Sequence, residues 1–238
     1  MTERFALYVS PPAKSLLYQK ASTWLQYDAY TGKSTESFNS VNFSLDQPAY
    51  EIHIKNAAKY GFHATLKPPF RLKEGQSQEQ LIQAIYDFCI EKKPIDCGKL
   101  QLTTLGNFIT LGLEKPCQQL NTLAQQCVET FEPFRAELNS QEFQKRNPEK
   151  LTRRQQVLLN QWGYPYVDDE YRFHLTLTDS LPTEQLEVVK NHLHELFLPV
   201  LDRNIQVNAV HLFHQENEQS HFKVIRSFPF SGLDFDIF

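Results

Sequence analysis

The 238-residue sequence contains only eight glycines, and none falls in a string that cradles a nucleotide. There is no P-loop, no Rossmann glycine string and no G-x-S-x-G elbow, so these phosphate-binding backbones and the strained serine nucleophile are missing. Cysteine is equally sparse. Cys89, Cys97, Cys117 and Cys127 show no C-x-x-C spacing, and Cys89 and Cys127 fall on apolar helical stripes, which predicts reduced, mostly buried thiols rather than disulfides or a zinc site. No H-E-x-x-H or D-x-D-x-D-G pattern occurs. His192 and His194 stand two apart on an expected helix, about 200° around it, and cannot chelate one ion from the same face. His211 and His214 bracket a strand end, and His53 and His221 stand alone. A mechanism without metal or cofactor is the simpler expectation.

Basic excess is also lacking: 24 Lys and Arg face 28 Asp and Glu, for a net charge of -4. Proteins that grip long nucleic acid draw most of that affinity from phosphate neutralisation, so such a partner is not expected. A small phosphorylated substrate needs only a local cluster of cations. No apolar run approaches the roughly 20 residues that span a bilayer, and no basic segment leads into an apolar stretch at the N-terminus. A cytoplasmic location is the corresponding expectation. Hydrophobic residues make up 41% of the chain, enough for a substantial core in one domain or two tightly joined lobes.

Against these absences, one phrase occurs twice: Phe62-His63-Ala64-Thr65-Leu66 and Phe173-His174-Leu175-Thr176-Leu177. Each copy alternates with period two, so in a strand His and Thr share one face while the apolar residues share the other. With the apolar face buried, each copy aims an imidazole and a hydroxyl the opposite way. Both copies run on into a helix. Ser77-Gln78-Glu79-Gln80 is a capping-box pattern before Leu81, Ile82, Ile85, Phe88 and Cys89 at helical spacing. The second copy leads through Pro182 to Leu186, Val189, Leu193, Leu196 and Phe197. The repeated unit is therefore strand then helix, and the 111-residue offset between the histidines fits two half-domains that each supply one strand to a shared cleft.

The remaining pattern extends this frame. Residues 4–10 read as an edge strand and 13–27 as a helix carrying Leu16, Leu17, Ala21, Trp24 and Leu25, followed by a loop over 30–47. Strands over 99–104 and 108–113 join through Gly106-Asn107 as a hairpin, and a helix follows over 115–131. A last strand pair is expected near 205–213 and 221–228. Strand, helix, strand, strand in each half argues for an α+β fold with two antiparallel sheets. Residues 134–169 do not fit the repeat and read as a lid or insert beside the cleft, with Lys145, Arg146, Lys150, Arg153 and Arg154 followed by Trp162, Tyr164 and Tyr166. Packing on the lobe is the expected role of Trp162.

Paired His-x-Thr motifs on strands of a two-lobed α+β fold resemble the two-histidine phosphoesterase superfamily, which includes RNA ligase-like and 2′,3′-cyclic phosphodiesterase enzymes. The strings Tyr60-Gly61-Phe62-His63-Ala64-Thr65-Leu66-Lys67-Pro68-Pro69-Phe70, Trp162-Gly163-Tyr164-Pro165-Tyr166 and Arg172-Phe173-His174-Leu175-Thr176-Leu177-Thr178 look like one bacterial branch. That branch is a domain-of-unknown-function family often encoded beside phosphonate-utilisation genes. The opening Arg4-Phe5-Ala6-Leu7-Tyr8-Val9-Ser10-Pro11-Pro12 also resembles it, so the likeness covers nearly the whole chain. The resemblance implies a single bilobal domain over 1–238, with helices outside two sheets that flank a central cleft.

It also implies a site. His63, Thr65, His174 and Thr176 would be catalytic, with His174 as base and His63 as acid in hydrolysis and the threonines donating to non-bridging oxygens. Candidate substrate-binding residues are Tyr8 on the first strand, Lys67 on the His-Thr face if the strand continues past Thr65, Arg153, Arg154 and Tyr166 from the insert, and Arg172, two residues before His174. The expected activity is hydrolysis of a small cyclic phosphate, with a ribosyl 1,2-cyclic phosphate suggested by the gene neighbourhood of the resembled branch. Two other readings stand beside it: RNA 2′,3′-cyclic phosphate end processing, and a protein that binds a phosphometabolite without turnover.

Overall fold

The computed structural model describes residues 3–35 and 47–231. In chain order the elements are β1 (Arg4–Val9), α1 (Leu16–Trp24), the short strands β2 (Tyr27–Asp28) and β3 (Lys33–Ser34), α2 (Gln47–Tyr60), β4 (Ala64–Phe70) and α3 (Gln78–Ile90). They continue with β5 (Ile95–Leu105), β6 (Phe108–Leu113), α4 (Gln118–Thr130), α5 (Ser140–Gln144), α6 (Arg153–Trp162), β7 (His174–Thr176), α7 (Thr183–Leu201), β8 (Asn204–Val207), β9 (Ala209–Gln215) and β10 (Lys223–Pro229). Two four-stranded sheets result, ordered β10-β9-β1-β4 and β7-β6-β5-β8, and every pairing in them is antiparallel. The fold is α+β, as the repeated pattern implies.

The motif strands sit at matching places. Strand β4 is an edge of the first sheet and β7 an edge of the second, and the two strands touch. The cleft therefore opens where the sheets meet. The period-two burial holds along the first copy, with Phe62, Ala64 and Leu66 buried and His63 and Thr65 half-buried. After β4, Ser77 caps α3 with the reciprocal Gln80 contact, and Leu81, Ile85 and Cys89 bury its apolar stripe. One continuous core joins both halves, and the Trp24 indole N–H donates to the Leu177 carbonyl at 2.7 Å across it. Cys89, Cys97 and Cys127 are buried and all four cysteines are free thiols.

Several boundaries depart from the sequence pattern. Strand β1 lies inside its sheet between β9 and β4, not at an edge; residues 5–9 are buried on both faces, a condition under which alternation vanishes from the sequence. The strand expected over 205–213 is two strands: β8 pairs with β5 in one sheet, and β9 pairs with β1 and β10 in the other. The chain changes sheets at Asn208, whose carbonyl accepts from the Phe230 N–H. Part of the loop expected over 30–47 lies outside the described residues, and its end is the start of α2. That helix buries the small residues Ala57 and Ala58 beside Ile54, which leaves little periodic signal to read. No described helix is long and apolar enough to cross a membrane.

Residues 134–169 are built from α5, α6 and short turns. Asn139 with Glu142 and Thr152 with Gln155 form capping boxes at the two helix starts. Leu158 and Val167 pack with Val128 into a small separate core that Trp162 and Tyr164 cover, so Trp162 packs as expected. Gly163 ends α6 at φ 69°, where a Cβ would come within 2.8 Å of the Arg135 guanidinium.

Candidate active site

Both motif histidines are held in the same way. The Nδ1 of His63 lies 2.8 Å from the Gly61 carbonyl, and the Nδ1 of His174 lies 2.7 Å from the Arg172 carbonyl, each two residues upstream. A carbonyl only accepts, so each neutral ring carries its proton on Nδ1 and presents a bare Nε2. The backbone enforces this at Gly61, which adopts φ 73° and where a Cβ would stand 2.7 Å from that of Ala29. Only glycine fits there. Both rings line one cavity of about 790 Å³, together with Thr65 and Thr176. Thr65 Oγ1 lies 3.4 Å from the His63 Nε2.

Burial shapes the electrostatics. Loss of hydration pushes His63 down to about 4, with the facing His174 adding to the effect, and it also lowers His174. Both rings are therefore neutral at pH 7. Tyr8 stacks on His63 with ring centroids 3.7 Å apart and planes at 19°. Its register explains the contact, because Tyr8 pairs with Thr65 across β1 and β4. The Tyr8 phenol is itself held well above its ordinary value by burial.

Of the residues proposed from sequence, Tyr8, Tyr166 and Arg172 line the cleft with the four motif residues. Lys67 does not. Thr65 pairs with Tyr8 but Lys67 pairs with Leu7, so one residue of β1 spans two of β4 and the bulge at Leu66 turns Lys67 to the other face. There it is buried, 3.0 Å from the Glu132 carboxylate and 2.9 Å from the Val128 carbonyl. Arg153 is exposed and outside the lining. Arg154 is exposed and bridges to Asp168 and Asp169, both at 2.7 Å, which ties α6 to the segment before β7.

The lining also holds Arg4, Tyr60 and Thr110, which the sequence pattern did not mark, and Arg146 and Tyr164, which it placed in the 134–169 segment without marking them as substrate-binding candidates. Arg4 is four residues before Tyr8 on the same face of β1, a period-two relation that the sequence does display. Arg146 belongs to the recognised basic cluster, but only the turn between α5 and α6 separates it from Arg153 and Arg154. Thr110 pairs with Thr176 across β6 and β7, and its buried hydroxyl has no hydrogen-bond partner among the described residues. Among those residues no group of three His, Cys, Asp or Glu side chains could hold a metal ion.

Fold and cleft thus define an α+β protein in which two antiparallel sheets each deliver one His-x-Thr to a shared cavity. The chain belongs to the family described as "Protein of unknown function (DUF1045)", whose model matches residues 65–223. Two curated relatives carry the name ribose 1,5-bisphosphate phosphokinase PhnN. The protein from Janthinobacterium sp. (strain Marseille) is 34% identical over 96% of this chain and 51% of its own length. That from Laribacter hongkongensis (strain HLHK9) is 30% identical over 75% of this chain and 40% of its own. The chain thus spans about half the length of these relatives or less. Among solved structures, a phosphoesterase is similar at TM-score 0.45 and 9% identity, covering 97% of this chain and 99% of its own. E. coli LigT with 3′-AMP is similar at TM-score 0.43 and 9% identity, with the same coverage of both chains.

Proposed function

We propose that this cleft is a two-histidine phosphoesterase site that opens a small cyclic phosphodiester by hydrolysis. The observation that carries the reading is the duplicated anchor: two imidazoles from different sheets, each with Nδ1 on a carbonyl two residues upstream, share one cavity with two threonines. Opening such a ring needs a base on the attacking side of phosphorus and an acid on the leaving side, and each is worth roughly 10²–10⁴-fold. His174 Nε2 takes a proton from water as its oxygen bonds to phosphorus. The ring P–O bond breaks, and His63 Nε2 gives its proton to the departing alkoxide, leaving a phosphate monoester. Thr65 and Thr176 donate to the non-bridging oxygens as charge moves onto them. Because burial by itself keeps His63 neutral, its proton arrives with the substrate, whose anionic phosphate restores the favour of the charged ring.

The relatives' name points to a phosphosugar as substrate class. Opening a ribosyl 1,2-cyclic phosphate at the O2 bond leaves phosphate on C1, a position phosphorylated in ribose 1,5-bisphosphate. The kinase activity in that name is assigned here to the part of those proteins outside the match, since this sequence holds no P-loop. The test is hydrolysis in EDTA of ribosyl 1,2-cyclic phosphate, 2′,3′-cyclic mononucleotides and a cyclic-phosphate-ended RNA, beside His63→Ala and His174→Ala. Turnover lost in both variants supports the mechanism. Turnover retained in either overturns it, and preference for the RNA end with steep salt dependence replaces the sugar by RNA.

A further inference from the structure

The cleft contains guanidinium groups that make no salt bridge among the described residues. Outside it, partly buried arginines are paired: Arg71 with Glu142 at 2.8 Å and Arg135 with Glu132 at 2.9 Å. Inside it, Arg4 is held by the neutral amide oxygen of Gln215 at 2.6 and 2.9 Å. Arg146 rests 4.9 Å from the centroid of the Tyr164 ring. Neither makes a salt bridge among the described residues. Glu142 feels the Arg4 charge through space, yet that carboxylate is already engaged by two N–H groups of Arg71. The other acidic groups of the lining hydrogen-bond elsewhere and to neither guanidinium, two of them to neutral donors. Glu170 accepts from Gln155, Asp179 accepts from the Asn56 and Ala57 N–H groups, and Glu218 pairs with Lys145.

These two guanidiniums sit among phenols. The Phe222 ring is a common floor, with the Arg4 guanidinium 5.5 Å from its centroid, Tyr60 stacked at 5.3 Å and Tyr8 at 6.3 Å. Tyr8 also stacks on His63, so this group borders the reaction centre. The same cavity is lined by Arg146 and Tyr164 from residues 134–169. Half-burying a guanidinium without a counter-charge is unfavourable, and its planar donors match phosphate oxygens. Phenol hydroxyls donate to the same oxygens.

We propose that Arg4, Arg146, Tyr8, Tyr60 and Tyr164 form a second anion subsite that holds a terminal phosphate monoester. The substrate class is then a cyclic phosphodiester of a sugar that carries another phosphoryl group. The chemistry in this statement rests on the two-histidine reading above; the binding does not. The cavity of about 790 Å³ has room for both groups and the sugar between them.

The experiment compares kcat/KM for ribosyl 1,2-cyclic phosphate with and without a 5-phosphate, in the wild-type protein and in Arg146→Gln and Arg4→Gln, and measures calorimetric binding of ribose 5-phosphate to each. A pair of charge-assisted contacts predicts a preference for the phosphorylated substrate of about 10- to 100-fold, which either variant narrows about tenfold, with ribose 5-phosphate binding weakened in parallel. Arg146 follows α5 and belongs to neither sheet, so Arg146→Gln reports on the subsite even if Arg4→Gln disturbs β1. Equal turnover of both substrates, with a ratio that the variants do not move, overturns the subsite and leaves the two-histidine chemistry standing. If neither substrate turns over, that chemistry has failed for sugars and the binding arm decides: saturable binding weakened by Arg146→Gln supports the subsite, and no binding overturns it. A stronger preference for 2′,3′-cyclic nucleotides than for the phosphorylated sugar also overturns it, because the phenols would then be stacking a base.

Discussion

Replacing His63 by glutamine should flatten the acid sensitivity of folding. In the unfolded chain this histidine takes a proton near the ordinary 6.5, whereas in the native cleft it does so only at about 4. Between those values the unfolded state binds more protons, so the stability tied to the neutral ring is complete above 6.5 and is lost as pH falls toward 4. Two units of that window, from 6.5 to 4.5, correspond to about 2.7 kcal/mol. The ring edge opens onto the cleft, where water relieves part of the strain of charging it, so the expected loss is about 1–2.5 kcal/mol. With a urea slope of about 2–3 kcal/mol/M for a chain of this size, the midpoint in the wild-type protein should fall between pH 7 and 4.5 by about 0.5–1 M more than in His63→Gln. His211, buried and also lowered to about 4, supplies a background slope common to both proteins. The assay is urea denaturation followed by circular dichroism at several pH values, read as a difference of slopes so that any uniform change in stability drops out. Parallel curves for the two proteins would refute the account of His63 as a ring kept neutral by burial, and with it the arrival of the catalytic proton with substrate.

Lys67→Ala should lower stability by about 3 kcal/mol, since it leaves both a cavity where the buried stem packs and an unpaired Val128 carbonyl while Arg135 still holds Glu132, and Lys67→Met, which refills the cavity but not the hydrogen bond, should recover part of it. A rise in KM for a phosphorylated substrate at native stability would instead place Lys67 in the cleft. Thr110→Val should raise the unfolding free energy by about 1 kcal/mol, because the hydroxyl removed is buried without a partner among the described residues; a loss of stability would reveal an interaction that the fold does not display. Gly61→Ala should cost at least about 1–2 kcal/mol for the left-handed backbone alone, and the 2.7 Å approach to Ala29 adds to it while displacing the carbonyl that orients His63. Native stability with full activity in that variant would remove Gly61 from the design of the site.

The duplicated His-x-Thr, the alternation around it and the helix after each copy are local properties, written within a dozen or so residues and enforced by the pleat and by capping. They determined the α+β class, the capping box at Ser77 and the faces of His63 and Thr65. Other features depend on residues distant in sequence, and here period and composition are silent. Lys67 shares the parity of Thr65 on paper, yet a one-residue bulge against β1 sends it into the core beside Glu132. Arg154 carries the same charge as Arg146 eight positions away, but Asp168 and Asp169 claim the first, while among the described residues the second rests on the Tyr164 ring and makes no salt bridge. The passage of one apparent strand from sheet to sheet at Asn208 likewise follows from which partners β5 and β1 offer. Local pattern decided which side chains each strand could present; only tertiary pairing decided which of them reach the cleft still carrying an unanswered charge.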